Sequence, residues 1–168
     1  MEIRKDSERL AQLRRQLTLD STQAHAYDEI TRLLATSLEV PITIINFMDE
    51  DHDGFKSAVG LTPGESPAET SFCEAFFRTS DEVIVAHDTT LDARFQQHPL
   101  VIGAPFVRFY AAARLTSAGH TLGTLCAYDM KPRQISVEQI NTLRTLATAV
   151  MELLNKRSAS GAASNEVR

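Results

Sequence analysis

The sequence carries no excess of positive charge. Its 17 Lys and Arg stand against 22 Asp and Glu, a net charge of −5, whereas a chain that grips nucleic acid or an anionic membrane concentrates basic residues on one face. The only dense basic group, Arg4, Lys5, Arg9, Arg14 and Arg15, alternates with acids in a segment of helical period and reads as a solvated face. No nucleic-acid or membrane partner is expected. No stretch is apolar for long enough to cross a bilayer, and the opening MEIRKDSERL places charges where a secretory signal needs an apolar run. A cytoplasmic protein is expected. Cysteine is scarce: Cys73 and Cys126 are far apart and outside any paired metal-ligand spacing, so they read as reduced thiols. There is no H-E-x-x-H, C-x-x-C, Walker loop or Gly-rich dinucleotide fingerprint. The five histidines are scattered, and His87 with Asp88 and Asp92 lacks the further ligand that a metal site needs. No metal is expected, and nothing in the sequence names a cofactor.

What the sequence does contain is one globular domain's worth of apolar residues, 43% of 168. The stretch from His98 to Asp129 organises the rest. Phe109 to Thr116 and Thr121 to Tyr128 are runs of β-branched, aromatic and small residues, and Ser117 to His120 carry turn chemistry between them. Pairing Thr116 with Thr121 places Arg114 opposite Gly123, Ala111 opposite Cys126, Phe109 opposite Tyr128 and Arg108 opposite Asp129. One face of this hairpin then shows Phe109, Ala111, Ala113 and Leu115 with Leu122, Thr124, Cys126 and Tyr128, and suits a cover of helices. The other shows Arg108, Tyr110, Ala112 and Arg114 with Gly123, Leu125, Ala127 and Asp129, a mixture that suits a lined cavity.

Around that hairpin the chain reads as α+β. A charged amphipathic helix with Ile3, Leu10, Leu13 and Leu17 on one stripe occupies residues 1–19. Asp20, Ser21 and Thr22 form an N-cap cluster for a second helix, which buries Tyr27, Ile30, Leu33, Leu34 and Leu38 and stops before Pro41. Strands follow at Ile42 to Asp49, Phe55 to Val59 and Glu82 to Asp88. Asp49 to Gly54 is a turn without the ligand pattern of a calcium loop. Leu61 to Thr70 is a loop leading to a short helix from Ser71 to Arg78. The long irregular segment after Asp88, with helical turns near Ala93 to Phe95 and Pro99 to Val101, has the length of a binding loop. A final helix spans 136–157, and 158–168 reads as a disordered tail. Its apolar residues Ile140, Leu143, Leu146, Ala147, Val150, Leu153 and Leu154 exceed what one sheet face requires. A homodimer through a bundle of Ile3 to Leu17 and Ile140 to Leu154 is therefore expected.

Four segments, in this order and spacing, resemble the GAF domain, a small-molecule sensor module of signalling proteins. They are VPITIINFMDEDHDGFKSAVGL (Val40 to Leu61), SFCEAFF (Ser71 to Phe77), DARFQQHPLVIGAPFVRFYAAARL (Asp92 to Leu115) and HTLGTLCAYDMKPR (His120 to Arg133). The similarity is closest to GAF domains that precede diguanylate cyclase or histidine kinase modules in bacteria. It implies a single domain over 1–157, with an antiparallel sheet of five or six strands. Terminal helices would cover one face, and short helices and loops would roof a ligand pocket on the other. Arg114 stands where such sequences often carry Pro. A guanidinium on a central strand needs an anion or solvent, and Arg114 joins Phe76, Arg94, Arg108 and Tyr110 as candidate ligand contacts between the sheet and the Ser71 to Pro105 region. For Arg108 the competing assignment is a cross-hairpin pair with Asp129.

The resemblance also frames the enzymatic alternative, a GAF-type reductase of free methionine sulfoxide that works through cysteine thiolates. Cys73 and Cys126 invite the comparison, as possible redox or pocket thiols. Their contexts, SFCEAFF and GTLCAYD, differ from that family's Gly-flanked Cys, and the chain has no Trp. A cyclic-nucleotide pocket of the phosphodiesterase type needs an Asn-Lys pair that is absent; only FRTSDE, Phe77 to Glu82, fits its second half. A bilin-type Cys is commonly followed by His, whereas Glu74 follows Cys73. The reading is a non-catalytic sensory or regulatory domain that binds an unidentified small molecule, mediates dimerisation, or both.

Overall fold

The computed structural model of the chain describes residues 3–20, 24–62 and 64–167, with side chains as far as 155. Six strands form one antiparallel sheet: β1 Ile42–Met48, β2 His52–Val59, β3 Glu65–Pro67, β4 Val83–Ala86, β5 Phe109–Ser117 and β6 His120–Asp129. Their order is β3-β2-β1-β6-β5-β4, so β1 and the hairpin strand β6 are central. The helices are α1 Ser7–Leu19, α2 Ala24–Leu38, the single-turn α3 Pro99–Ile102 and α4 Val137–Val167. This is the α+β arrangement the resemblance implied, at the upper end of the expected strand count.

The first helix does not run unbroken from residue 1. Ile3–Lys5 form a 3-10 turn, and Asp6 then caps α1 by accepting a hydrogen bond from the Arg9 amide at 2.9 Å. Ile3 consequently leaves the apolar stripe and is exposed. Ser21 and Thr22 of the expected N-cap cluster lie outside the described residues. In α2, Tyr27, Ile30, Leu34 and Leu38 are buried, while Leu33 faces outward. Glu39 takes the left-handed conformation after the helix, at φ 56, and Pro41 follows.

The loop expected over Leu61 to Thr70 contains β3, an edge strand whose Ser66 pairs with Asp53 of β2. Segment 71–78 is helical in the tighter 3-10 form, over Phe72–Arg78. At the other end α4 continues to Val167, where a disordered tail was expected from 158. Once a helix is nucleated each further residue adds a hydrogen bond, and this Ala-rich stretch contains no Pro to stop it.

The sheet divides the core in two. On one side Phe109, Ala111, Ala113, Leu115, Leu122, Leu125 and Ala127 pack under Leu13 of α1, Leu34 and Leu38 of α2, and Leu143, Val150 and Leu154 of α4. The apolar surplus that suggested a dimer is thus largely used inside one chain: Leu10, Leu13, Leu143 and Leu154 are all buried without a partner subunit. On the other side Ile44, Met48, Cys126 and Tyr110 pack under Phe72, Phe76, Phe95 and Val101.

Hairpin register departs from simple counting. Thr116 does pair with Thr121, but Leu115 pairs with Gly123, so Leu122 is an extra residue in β6. Beyond that bulge Arg114 faces Thr124, Ala112 faces Cys126 and Phe109 faces Asp129. A shift of one residue exchanges the two faces of a strand. Leu125 and Ala127 therefore turn to the helices, while Thr124, Cys126 and Tyr128 turn to the opposite side.

Candidate functional site

A cavity of about 170 Å³ lies on the face away from the terminal helices. Its floor is Ile42, Ile44 and Asn46 of β1, Asp53 and Phe55 of β2, and Tyr128 of β6. These β1 residues alternate along the strand and so share one face. Its roof comes from Ser66, Thr70, Ser71 and Phe72, from Leu100 of α3, and from Pro105 and Val107. Leu61 and Met130 complete the wall. The region between the sheet and residues 71–105 does hold a cavity, as anticipated, but over the β2-β1-β6 half of the sheet.

Aromatic stacking shapes the roof. Phe72 lies on the His98 ring at 4.0 Å, and its centroid is 5.2 Å from Tyr110, 5.3 Å from Phe95 and 5.5 Å from Tyr128. His98 Nδ1 accepts from the Leu100 amide at 3.0 Å, which fixes the start of α3 and leaves the ring proton on Nε2. Burial pushes the His98 pKa below its ordinary value, against a smaller opposing contribution from the Thr70 backbone.

The polar groups of the cavity are few and unequal. Asn46 Nδ2 donates to Asp53 Oδ2 at 3.1 Å, and Asp53 Oδ1 accepts from Arg4 Nη2 at 2.9 Å. Asn46 Oδ1 and Ser71 Oγ are buried with no hydrogen-bond partner. Such groups each cost about 1–3 kcal/mol when left unmade.

None of the five anticipated contacts lines this cavity. Phe76 is buried beneath the Arg114 guanidinium, 5.1 Å from its ring centre. Arg114 donates to the Thr79 carbonyl at 2.7 Å, the Asp81 carbonyl at 2.8 Å and Thr121 Oγ1 at 2.6 Å. Its cation thus secures the segment between the 71–78 helix and β4. Arg94 pairs with Asp92 at 2.6 Å, and Arg108 donates to the Val101 carbonyl at 2.9 Å. The competing assignment, an Arg108 to Asp129 side-chain pair, is not formed either: Asp129 pairs with Arg133 at 2.8 Å. Tyr110 is fully buried behind Phe72. The reason is common to all five: they sit over β4 and β5, whereas the cavity opens over the other half of the sheet.

Cys73 and Cys126 are free and buried, and neither is a cavity residue. Cys73 Sγ lies 2.9 Å from Thr124 Oγ1 and 3.2 Å from the Tyr110 hydroxyl. Burial opposes its ionisation, but hydrogen bonds from Cys126, Thr124 and Tyr110 outweigh that and hold it below the ordinary thiol value. Burial and the neighbouring Cys73 push Cys126 well up. Among the described residues there is no group of His, Cys, Asp and Glu that could hold a metal ion. Nor, among the described residues, is any helix long and apolar enough to cross a membrane.

Sequence reasoning missed Asn46, Asp53, Ser71 and Tyr128. One signal was present: Asn46 interrupts the apolar run ITIINFM at a position in phase with Ile42 and Ile44.

The GAF domain family model matches residues 24–154. A cyclic di-GMP phosphodiesterase of Pseudomonas aeruginosa is 33% identical over 135 residues, which cover 79% of this chain and 23% of that protein. The chain thus spans about a quarter of the length of this relative. Among solved structures, the GAF domain of an Acinetobacter phosphoenolpyruvate-protein phosphotransferase superposes with a TM-score of 0.65 at 15% identity, covering 93% of this chain and 98% of that one. The free methionine-R-sulfoxide reductase of Neisseria meningitidis, in complex with its substrate, gives 0.61 at 16% identity, covering 92% and 89%. At such identities these two structures carry the fold alone.

Proposed function

This chain belongs to the GAF domain family, and from that premise we propose that it is a non-catalytic sensory module of a bacterial signalling protein, working in the cytoplasm. Its ligand is a small, largely apolar molecule that carries one or two hydrogen-bonding groups. The observation that carries this reading is the pair of unpartnered buried oxygens, Asn46 Oδ1 and Ser71 Oγ, on two residues that line a mostly apolar cavity. Apolar cavities of about 150 Å³ accept benzene, so 170 Å³ suits about six to ten non-hydrogen atoms. A cyclic dinucleotide is far larger, and its phosphates would meet the Asp53 carboxylate. In this reading Phe76 and Tyr110 support the roof from behind, and Arg94, Arg108 and Arg114 hold its loops.

Self-association would use α4, which extends beyond the core residue Leu154. Sulfoxide reduction would rest on the lowered Cys73 thiol, but both sulfurs lie outside the cavity. The cavity reading is tested by native mass spectrometry before and after denaturation, together with ¹⁵N NMR titration with indole. The expected result is saturable shifts around Asn46, Asp53, Ser71 and Tyr128, with indole bound about tenfold more weakly in Asn46→Leu. A chain that releases no small molecule, and whose amides do not respond to indole, would overturn it.

A further inference from the structure

Arg4 is buried almost completely although it belongs to a three-residue turn at the start of the chain. Its guanidinium reaches across to the cavity side of the sheet. Nε donates to Glu74 Oε1, Nη1 to the carbonyls of Asp49 at 2.8 Å and His52 at 3.3 Å, and Nη2 to Asp53 Oδ1 at 2.9 Å. The backbone of the same turn is held in return, since Arg9 Nη2 donates to the Arg4 carbonyl at 2.7 Å. Asp53 is itself a cavity residue, and its second oxygen holds Asn46.

That chain of contacts has a chemical direction. A carboxylate paired with a guanidinium can only accept hydrogen bonds, so the Asn46 amide must present its NH₂ to Asp53. Its oxygen is then the end left over, and Asn46 Oδ1 is indeed buried without a partner. We infer that Arg4 is a positioning residue of the ligand site: through Asp53 it fixes the Asn46 amide, so that the cavity selects molecules with an N–H or O–H donor. This inference rests on the cavity reading above and deepens it. Without Arg4 the buried Asp53 carboxylate loses its counter-charge; a proton then replaces the guanidinium, the carboxyl can donate as well as accept, and the constraint on Asn46 is released. Linkage is reciprocal. A donor on Asn46 Oδ1 polarises the amide and strengthens its bond to Asp53, so occupancy tightens the docking of the Ile3–Lys5 turn and of α1 behind it.

The test uses indole and benzofuran, which share size and shape but differ in an N–H donor against a ring oxygen. The affinity of each for the full chain is measured by NMR titration. The wild-type chain is expected to bind indole about tenfold more tightly. In Arg4→Met the two affinities converge to within about twofold while benzofuran binding persists. The double variant Arg4→Met/Asp53→Asn leaves no lone charge at this pair and lets the Asn46 amide turn, so it serves if the single variant does not fold; the same convergence is expected. Amide exchange over Ser7–Leu19 slows with indole and not with benzofuran in the wild type. Equal wild-type affinities, or a tenfold preference that survives in the variants, overturn the inference and leave the cavity reading standing. Failure of both probes to bind the wild type overturns the two together.

Discussion

Leu115 stands opposite Gly123 while the next residue, Thr116, stands opposite Thr121, and that single mismatch places the extra residue Leu122 in β6. From Thr124 to Asp129 every β6 side chain occupies the face opposite to the one that even counting assigns. Tyr128 reaches the cavity floor only because of it. The glycine at the bulge has a second constraint: a Cβ there would lie 1.9 Å from the Asn46 carbonyl oxygen of β1.

Gly123→Ala should therefore force β1 and β6 apart at Asn46. A loss of at least about 1–3 kcal/mol is expected, the range for overpacking in a core. Gly119→Ala is the control, because it meets nothing within 4 Å and bears only the penalty of its φ of +80, about 1–2 kcal/mol. Urea unfolding of the two variants checks the order. A Gly123→Ala protein as stable as the wild type would contradict the close β1 to β6 contact.

Arg4→Met should cost far more than Arg14→Met. Arg4 and Asp53 form a pair of which each side chain is under a tenth exposed, and removing one member of such a pair costs about 3–5 kcal/mol. Arg14 pairs with Asp49 at 3.1 Å but is more than half exposed, so its loss should cost only ~0–1 kcal/mol. Equal urea midpoints would show that Arg4 is not buried in solution.

Both thiols should resist modification in the folded protein. Cys73 and Cys126 are 1% and 0% exposed, so their alkylation by iodoacetamide should follow the rate of opening and become rapid only in denaturant. No disulfide is expected, and no reduction of free methionine sulfoxide above a double Cys→Ser variant. A clear cysteine-dependent rate would favour the redox reading.

His52 and His98 should titrate on opposite sides of the ordinary histidine value. The Asp51 hydrogen bond raises His52, against burial and with help from Glu65, whereas burial lowers His98. For His52 the folded pKa lies above the unfolded one, so its contribution is complete below about pH 6.5 and is lost as pH rises through the folded pKa. For His98 the sign reverses. The unfolded chain takes up a proton first as pH falls below about 6.5, so stability declines toward acid until the folded pKa is passed. Ring-proton NMR shifts against pH check both directions. Thermal melts of His52→Gln should lose only a small share of the pH dependence, because that side chain is more than a third exposed.

Much of this fold was legible in the chain itself. The period of the apolar residues placed α1, α2 and α4, β-branched runs placed β1, β5 and β6, and Ser117 to His120 announced the hairpin turn. Those features are local: each follows from which residues within a turn or a strand must face the same way. The four loop segments carried the family. Tertiary structure alone decided the bulge at Leu122, because it depends on whether β1 can approach Gly123. It decided which half of the sheet lies open, since Arg94, Arg108 and Arg114 satisfy their guanidinium groups on loop carbonyls and on Asp92 that no spacing reveals. It also drew Arg4, which reads as one charge among many on a solvated helix face, into a buried pair with Asp53. An ion pair across 49 positions of sequence has no local period, and only the folded chain brings its two members within hydrogen-bond reach.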